Sequence, residues 1–201
     1  MKNMTNEETI WNWLYIKFRN VYGVAALMGN LFAESSLNPI LANNIKKHGL
    51  TNEEYTAIAD SGVNNSFVND GIAYGLAQWC YHTRKKELLD FAKDRRKSVG
   101  DLETQLYFLY YELQKYKTVF YAICDATNIK EASDIILLKY EKPKNKSDTV
   151  KAKRASFGQK YFDKYAAKTI AVNELYNTVI IKDAPKSAVD ELYNQLKEKM
   201  K

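Results

Sequence analysis

Apolar residues recur at helical spacing along most of the chain, and this pattern predicts a mainly α-helical protein. The first helix follows a capping box in which Thr5 and Glu8 satisfy each other's backbone. Its apolar face consists of Ile10, Trp11, Leu14 and Phe18. A second capping box, formed by Thr51 and Glu54, predicts a short helix that ends near Ala59.

Five later helices are predicted from the same signals. Thr83 is expected to cap the first of them and Asp101 the second. Two more are predicted near residues 119–126 and 130–140, and a long one over 149–167. The inner face of that long helix is expected to hold Ala152, Ala155, Phe162 and Tyr165.

Residues 60–75 break the helical pattern. Their sequence is DSGVNNSFVNDGIAYG, which is rich in asparagine and glycine with isolated apolar positions. A sequence of this composition favours turns and short strands, so we expect a small β-hairpin or an ordered loop here.

The chain of 201 residues is long enough for one domain of ordinary size with a short appendage. We expect one core over residues 1–168. Residues 169–201 are expected to form a C-terminal helical tail or connector, ending in an amphipathic helix with Val189, Leu192, Tyr193 and Leu196.

One helix stands out because it has almost no polar face. Residues 20–45 are 26 in number and contain a single acidic or basic side chain, Glu34, although charged residues make up 27% of the chain. The apolar stripe that begins at Val21 predicts a central buried helix, which Asn38-Pro39 must end. Glu34 is therefore expected at the C-terminal end of that helix.

Two effects disfavour the ionised form of a carboxyl group at such a position: burial and the negative end of the helix dipole. A carboxylic acid that keeps its proton near neutral pH can protonate the leaving oxygen of a glycosidic bond. Glu34 is accordingly a candidate general acid. The alternative is a structural glutamate that pairs with an arginine or caps a loop.

The net charge and the spacing of the cysteines limit which binding partners and cofactors the sequence predicts. The net charge is +6, and lysines crowd the segment 144–168, so that face is expected to attract anions such as phosphate-rich wall polymers. No nucleic-acid-reading motif accompanies it. Cys80 and Cys124 lack metal-ligand spacing and are expected to be reduced core thiols, so neither a metal nor another cofactor is implied. No apolar run reaches the roughly 18 residues that a membrane span needs, and no secretory signal is recognised.

A second informative string is DGIAYGLAQW, at positions 70–79. Gly75 permits a close backbone approach to a ligand, and Gln78 offers both a donor and an acceptor. Tyr74 and Trp79 offer flat faces for sugar rings. Together these residues form a plausible wall of a binding groove, although buried tryptophan is usually part of a core.

Several strings match a known family in order and spacing. GNLFAES at 29–35 and LNP at 37–39 are followed by YGLAQW at 74–79, SVGD at 98–101 and YEL at 111–113, and then by YEKP at 140–143 and the Arg154-Ala155 helix. The chain thereby resembles the phage tail lysozymes over about residues 20–165. More distantly it is similar to goose-type lysozymes and soluble lytic transglycosylases.

The resemblance implies a lysozyme-like fold, mainly α with a small β wing (α+β), as a catalytic domain over residues 1–168. It implies a muramidase that cleaves the bond between N-acetylmuramic acid and N-acetylglucosamine in peptidoglycan. Glu34 falls on the family's acid position, and positions 75–78 fall on the motif that lines its cleft. Asp70 occupies a place comparable to the second carboxylate of goose-type enzymes, with Asp60 in reserve. Asp70 could equally be a turn residue that binds its own backbone.

Other readings stay open at this point. Because the transglycosylase string Ala-Tyr-Asn is missing, Tyr111 is a candidate orienting tyrosine, with packing as its alternative role. A lytic transglycosylase, a non-catalytic wall-binding module and a basic nucleic-acid binder are the competing functions. The protein is expected as a monomer or a part of a larger protein, made in the cytoplasm and delivered to the bacterial wall by a phage tail, by endolysin release or by a secretion machine.

Overall fold

The computed structural model describes residues 4–62 and 66–180, with side chains as far as residue 171. The predicted amphipathic helix near Val189 lies outside the described residues. The helices in chain order are α1 Asn6–Phe18, α2 Val21–Ser35, α3 Asn52–Ser61, α4 Ser66–Asn69, α5 His82–Asp94, α6 Leu102–Lys115, α7 Lys117–Cys124, α8 Ile129–Ile136 and α9 Asp148–Ile180. A 3₁₀ turn spans Ile45–His48, and a π-helical turn spans Leu137–Glu141.

The predicted mainly helical class is confirmed, and three of the four predicted caps are as expected. Thr5 and Thr51 each form a complete capping box, and the side chain of Asp101 accepts a hydrogen bond from the backbone of Thr104. The prediction that Thr83 caps α5 is wrong. The extended backbone that a cap requires lies at Tyr81, so α5 begins one residue before Thr83.

The predicted β wing is also wrong for the part of the chain that the structure describes, which contains no strand. Only isolated antiparallel bridges form there, joining Tyr74 to Ala42 and to Trp79. Asn43 also donates a hydrogen bond to the Ala73 carbonyl, at 2.8 Å. Within the segment 60–75, residues 66–69 form the short helix α4, and residues 70–75 form no continuous ladder, so the part that follows α4 is an ordered loop, the other possibility that the sequence allowed.

The prediction of a central buried helix is confirmed. The α2 side chains from Val24 to Leu31 are completely covered, and α2 packs against α1, α7, α8 and α9. Ser36 and Leu37 adopt left-handed backbone conformations and end α2 at Ser35, four residues before Pro39. Glu34 therefore lies in the last turn of α2, as expected.

One close helix crossing in this core joins α2 to α9. A Cβ atom on Gly29 would overlap the backbone of Arg154 and Gly158, and one on Gly158 would lie 2.9 Å from the Ala25 carbonyl oxygen. Two backbones can approach in this way only where side chains are absent. The crossing brings Arg154 next to the C-terminal half of α2.

The predicted inner face of α9 is confirmed in part. Phe162 and Tyr165 are partly buried and pack against the core, whereas Ala152 is exposed. The fully buried residues over 148–171 are Arg154, Gly158, Tyr161 and Ala166, and the apolar pattern does not predict the arginine among them. In addition, α9 continues through the predicted domain boundary at residues 168 and 169, where the Trp11 indole donates a hydrogen bond to Thr169 Oγ1 at 2.9 Å.

Candidate active site

Glu34 points from the end of α2 toward α9. Its side chain is 20% exposed and forms an ion pair with the guanidinium of Arg154, whose own side chain is 10% exposed. This pairing is the structural alternative that the sequence left open. This pairing does not by itself exclude a role for Glu34 as a general acid, because Glu34 also has an acidic neighbour.

That neighbour is Glu141, the last residue of the π-helical turn. Its side chain is only 3% exposed, and its Oε2 atom lies 3.9 Å from Arg154 Nη1. Burial raises the pKa of Glu141 well above the ordinary value, and the charge of Glu34 and a side-chain hydrogen bond to Glu34 raise it further. The Oε1 atom of Glu141 is buried without a hydrogen-bond partner among the described residues.

Asn30 positions the arginine between these two acids. Its carbonyl oxygen and its Oδ1 atom accept from Arg154 Nη1 at 3.3 and 3.4 Å. The Asn30 amide nitrogen in turn donates to Ala26 O and to Ser133 Oγ, both at 2.9 Å. Asn30 is completely buried, so these bonds fix its orientation and link α2, α8 and α9.

A third acidic side chain of the region, Glu112 of α6, has hydrogen-bond partners on both carboxylate oxygens. It accepts hydrogen bonds from Trp79 Nε1 at 2.9 Å, from Arg84 at 2.6 and 2.7 Å and from the Tyr140 hydroxyl. Burial alone would raise the pKa of Glu112, but the hydrogen bonds and charge of Arg84, with smaller contributions from Tyr140 and Trp79, lower it. Glu112 is thus an ionised carboxylate whose oxygens are both paired.

The loop after α4 is fixed against the end of α2. Ser35 Oγ donates to the Leu76 carbonyl at 2.9 Å, so the residue next to Glu34 is bonded to the YGLAQW string. Gly75 N and Gln78 Nε2 both donate to Leu41 O, at 2.9 and 3.0 Å. The structure therefore brings together the two strings that the sequence singled out.

Gly75 has a specific steric reason to be glycine. Its backbone has a φ of +77°, and a Cβ atom there would lie 2.7 Å from the buried Gln105 amide. Gln105 accepts from Leu76 N and donates to Pro39 O and Val99 O. These hydrogen bonds of the Gln105 amide fix the conformation of the loop that contains Gly75.

Asp70 is engaged by three partners. Its Oδ1 atom accepts from Lys85 Nζ at 2.7 Å and from Ile72 N at 2.9 Å, and its Oδ2 atom accepts from the Tyr55 hydroxyl at 2.6 Å. The bond to Ile72 is the turn contact that the sequence offered as the alternative role. No bond joins Asp70 to Glu34 among the described residues.

The aromatic candidates are covered to different degrees. Tyr74 and Trp79 are completely buried, and the Tyr74 hydroxyl lies 2.7 Å from Thr56 Oγ1. Tyr111 is 49% exposed and packs its ring on Phe91, with Lys115 Nζ 4.5 Å from the ring centroid. Contact of these rings with a sugar stays a prediction.

Sequence reasoning missed Glu141, Arg154 and Glu112 as site residues. Glu141 did carry a signal, because it directly follows the apolar run IILLKY and is part of a family-like string. Arg154 interrupts the inner face of a long helix, and a charged residue at a core position calls for a buried partner. Neither signal reveals which acid faces which arginine.

The fold and the site define a class: an α-helical protein with a buried carboxyl pair at the end of its central helix, beside a glycine-containing loop. The model of the phage tail lysozyme family matches residues 5–165, and the chain belongs to that family. Membership points to lysozyme-like hydrolysis of peptidoglycan at the bacterial cell wall. No curated protein sequence matches the chain.

Two further observations concern the described residues only. No helix there is both long and apolar enough to cross a membrane. No group of three or more histidine, cysteine, aspartate or glutamate side chains there could hold a metal ion.

Proposed function

We propose that the protein is a peptidoglycan muramidase that cleaves the β-1,4 bond between N-acetylmuramic acid and N-acetylglucosamine, with Glu34 as the general acid. The observation that carries this proposal is the position of Glu34. It is a partly exposed carboxyl group in the last turn of α2, bonded through its neighbour Ser35 to Leu76, and in contact with a second carboxyl group. A general acid needs both access to the leaving oxygen and a source for its proton.

The first experiment measures cleavage of purified peptidoglycan by the wild-type protein and by Glu34→Gln. Glutamine keeps the shape of the side chain and removes the acid, so we expect the release of new reducing ends to fall by about 100-fold or more. Glu103→Gln is the matched control, because Glu103 is an exposed carboxylate in the first turn of α6. Full activity in Glu34→Gln would refute the assignment of Glu34.

A lytic transglycosylase is the second candidate, and the environment of Asp70 favours it. Three of the roughly four acceptor positions of the Asp70 carboxylate are occupied by Lys85, Tyr55 and Ile72, so about one remains for a water molecule that Asp70 would activate as a base. A transglycosylase dispenses with that base, because the C6 hydroxyl of the muramic acid attacks C1 of the same sugar.

Mass spectrometry of the released fragments separates the two reactions. Hydrolysis gives reducing muramic acid ends, whereas transglycosylation gives 1,6-anhydro ends. Asp70→Asn sharpens the result: a muramidase that uses Asp70 as its base should lose about 100-fold in rate, and a transglycosylase should not. Sedimentation of the protein with cell walls, without any cleavage, would instead indicate a wall-binding module.

A further inference from the structure

We propose that Glu141 is the proton partner of Glu34: the two carboxyl groups share one proton, which Glu141 holds at rest and returns to Glu34 when a glycan binds. This inference rests on the proposed function for the destination of the proton. Glu141 would not touch the substrate and is therefore a positioning residue.

The charges around the site require such a proton. The titratable groups that face Glu141 are Glu34 from α2, Arg154 from α9 and Arg84 from α5, with the hydroxyl of Tyr140 and the carboxylate of Glu112 behind them. Arg84 is already bonded to Glu112 through two nitrogens. Among the residues that the structure describes, only Arg154 remains for Glu34 and Glu141, and one guanidinium balances one carboxylate. Two buried carboxylates in contact repel each other, so one of them takes up a proton.

The position of both acids at one guanidinium also indicates that one of them is protonated. Both acids approach the same guanidinium: Glu34 pairs with Arg154 Nη2, and Glu141 Oε2 lies 3.9 Å from Arg154 Nη1. Two ionised carboxylates have no donor to offer each other, so a hydrogen bond between them forms only when one of the groups is protonated.

The surroundings indicate which group holds the proton at rest. Glu34 is more exposed than Glu141 and forms the closer contact with Arg154. Glu141 is buried, and one of its oxygens has no partner among the described residues. An ionised Glu141 would therefore be a poorly compensated buried charge, whereas an ionised Glu34 is stabilised by both water and the guanidinium.

A bound glycan would reverse this preference. It would cover the Glu34 carboxylate and exclude the water that stabilises its charge. The O–H bond of Glu141 then breaks and an O–H bond on Glu34 forms, while Arg154 Nη1, 3.9 Å from Glu141 Oε2, stabilises the new carboxylate. Glu34 next gives the proton to the glycosidic oxygen as the C1–O bond breaks. The attacking hydroxyl or water releases one proton, which restores the pair, so no other reactant is consumed.

The test compares the pH dependence of cleavage in the wild-type protein and in Glu141→Gln. Glutamine at position 141 has no proton to give to Glu34, so the variant lacks the second acid that would keep the pair protonated. We expect the alkaline limb of the pH–rate profile to move to lower pH, and kcat at neutral pH to fall about tenfold for each unit of that movement, with KM within about twofold. Glu131→Gln, which changes an exposed carboxylate at the start of α8, should behave like the wild type.

A second measurement does not depend on activity. NMR of protein labelled at the side-chain carboxyl carbons of glutamate and aspartate should show one carboxyl group of the wild type that titrates well above the ordinary range. That signal should be absent in Glu141→Gln and present in Glu141→Asp, which keeps an acid at the position. If Glu141→Gln does not fold, the titration of the wild type alone still decides.

The outcomes separate the two proposals. An unchanged pH–rate profile in folded Glu141→Gln, or ordinary titration of all glutamates in the wild type, would overturn the shared proton even if the protein cleaves peptidoglycan. A high-titrating Glu141 in a protein that cleaves no glycan would support the shared proton and refute the proposed function.

Discussion

Two clusters of buried acid and arginine lie close together in this protein, and they differ in how completely the acid is paired. Glu112 has a bidentate arginine, an indole and a hydroxyl around one carboxylate. In the other cluster, Glu34 and Glu141 have one guanidinium between them, and one Glu141 oxygen has no partner among the described residues. The consecutive residues Tyr140 and Glu141 contact the first and the second cluster respectively.

The difference separates structure from chemistry. A carboxylate whose lone pairs are all satisfied has a lowered pKa and little reason to exchange a proton, so Glu112 serves to hold α5, α6 and the π-helical turn together. Burial and the charge of Glu34 raise the pKa of Glu141 beyond what the shared arginine offsets, so Glu141 can exchange its proton. Perturbed acids in a fold are therefore better ranked by unmet pairing than by burial alone.

The largest effect on stability is expected for Glu112→Gln. The substitution leaves the Arg84 guanidinium buried without a counter-charge, and loss of one partner from a buried ion pair costs about 3–5 kcal/mol. Denaturant unfolding near neutral pH measures the free energy of unfolding. Glu87→Gln is the control. Glu87 of α5 pairs at the surface with Lys115 of α6, the helix that also carries Glu112, so this substitution should change the free energy of unfolding by less than about 1 kcal/mol.

A similar loss of unfolding free energy in both variants would contradict the stabilising role of the buried Glu112 carboxylate. A loss confined to Glu112→Gln would confirm that the fully paired cluster is the structural one.

The next largest effect is expected for Gly29→Ala, which tests the crossing that brings Arg154 to Glu34. Helix propensity alone predicts that alanine stabilises α2 by about 1 kcal/mol. The added methyl group would instead overlap the α9 backbone at Arg154 and Gly158, and overpacking of this kind costs about 1–3 kcal/mol. We expect a net loss of stability together with a loss of cleavage, because the arginine moves away from the acids. A gain in the free energy of unfolding would show that the helices do not cross so closely.

Local sequence signals foretold much of this architecture. The caps at Thr5, Thr51 and Asp101 and the buried course of α2 follow from patterns within a few residues, as does the position of Glu34 at its end. The sequence also singles out two separated strings, GNLFAES and YGLAQW, and the hydrogen bond from Ser35 to Leu76 joins them.

The remaining features depend on contacts between distant residues. Glu34 and Arg154 are 120 positions apart, and their pairing requires the crossing at Gly29. Hydrophobic periodicity counts an arginine as polar, so the apolar pattern of α9 does not predict Arg154 on its inner face. The π-helical turn that aims Tyr140 and Glu141 at different clusters has no short sequence signal.

The smallest effect is expected in the pH dependence of stability, where the two clusters have opposite signs. The pKa of Glu112 is lower in the folded protein, so its stabilisation is present above the ordinary glutamate value of 4.5 and is lost as the pH falls through the folded pKa. The pKa of Glu141 is higher in the folded protein, so its stabilisation is complete below 4.5 and is lost as the pH rises through the folded pKa.

Glu141→Gln should remove only the second of these effects. Above the ordinary glutamate value, folded wild-type protein keeps a proton that the unfolded chain has released, so each unit of pH lowers its free energy of unfolding by up to about 1.4 kcal/mol. The variant lacks this slope and should become more stable relative to the wild type, by about 1 kcal/mol or more, as the pH rises from about 5 to about 7. Denaturant unfolding at both pH values measures the difference. Parallel curves for the two proteins would mean that Glu141 gives up its proton as readily in the folded protein as in water, and the contrast with Glu112 would then be one of geometry alone.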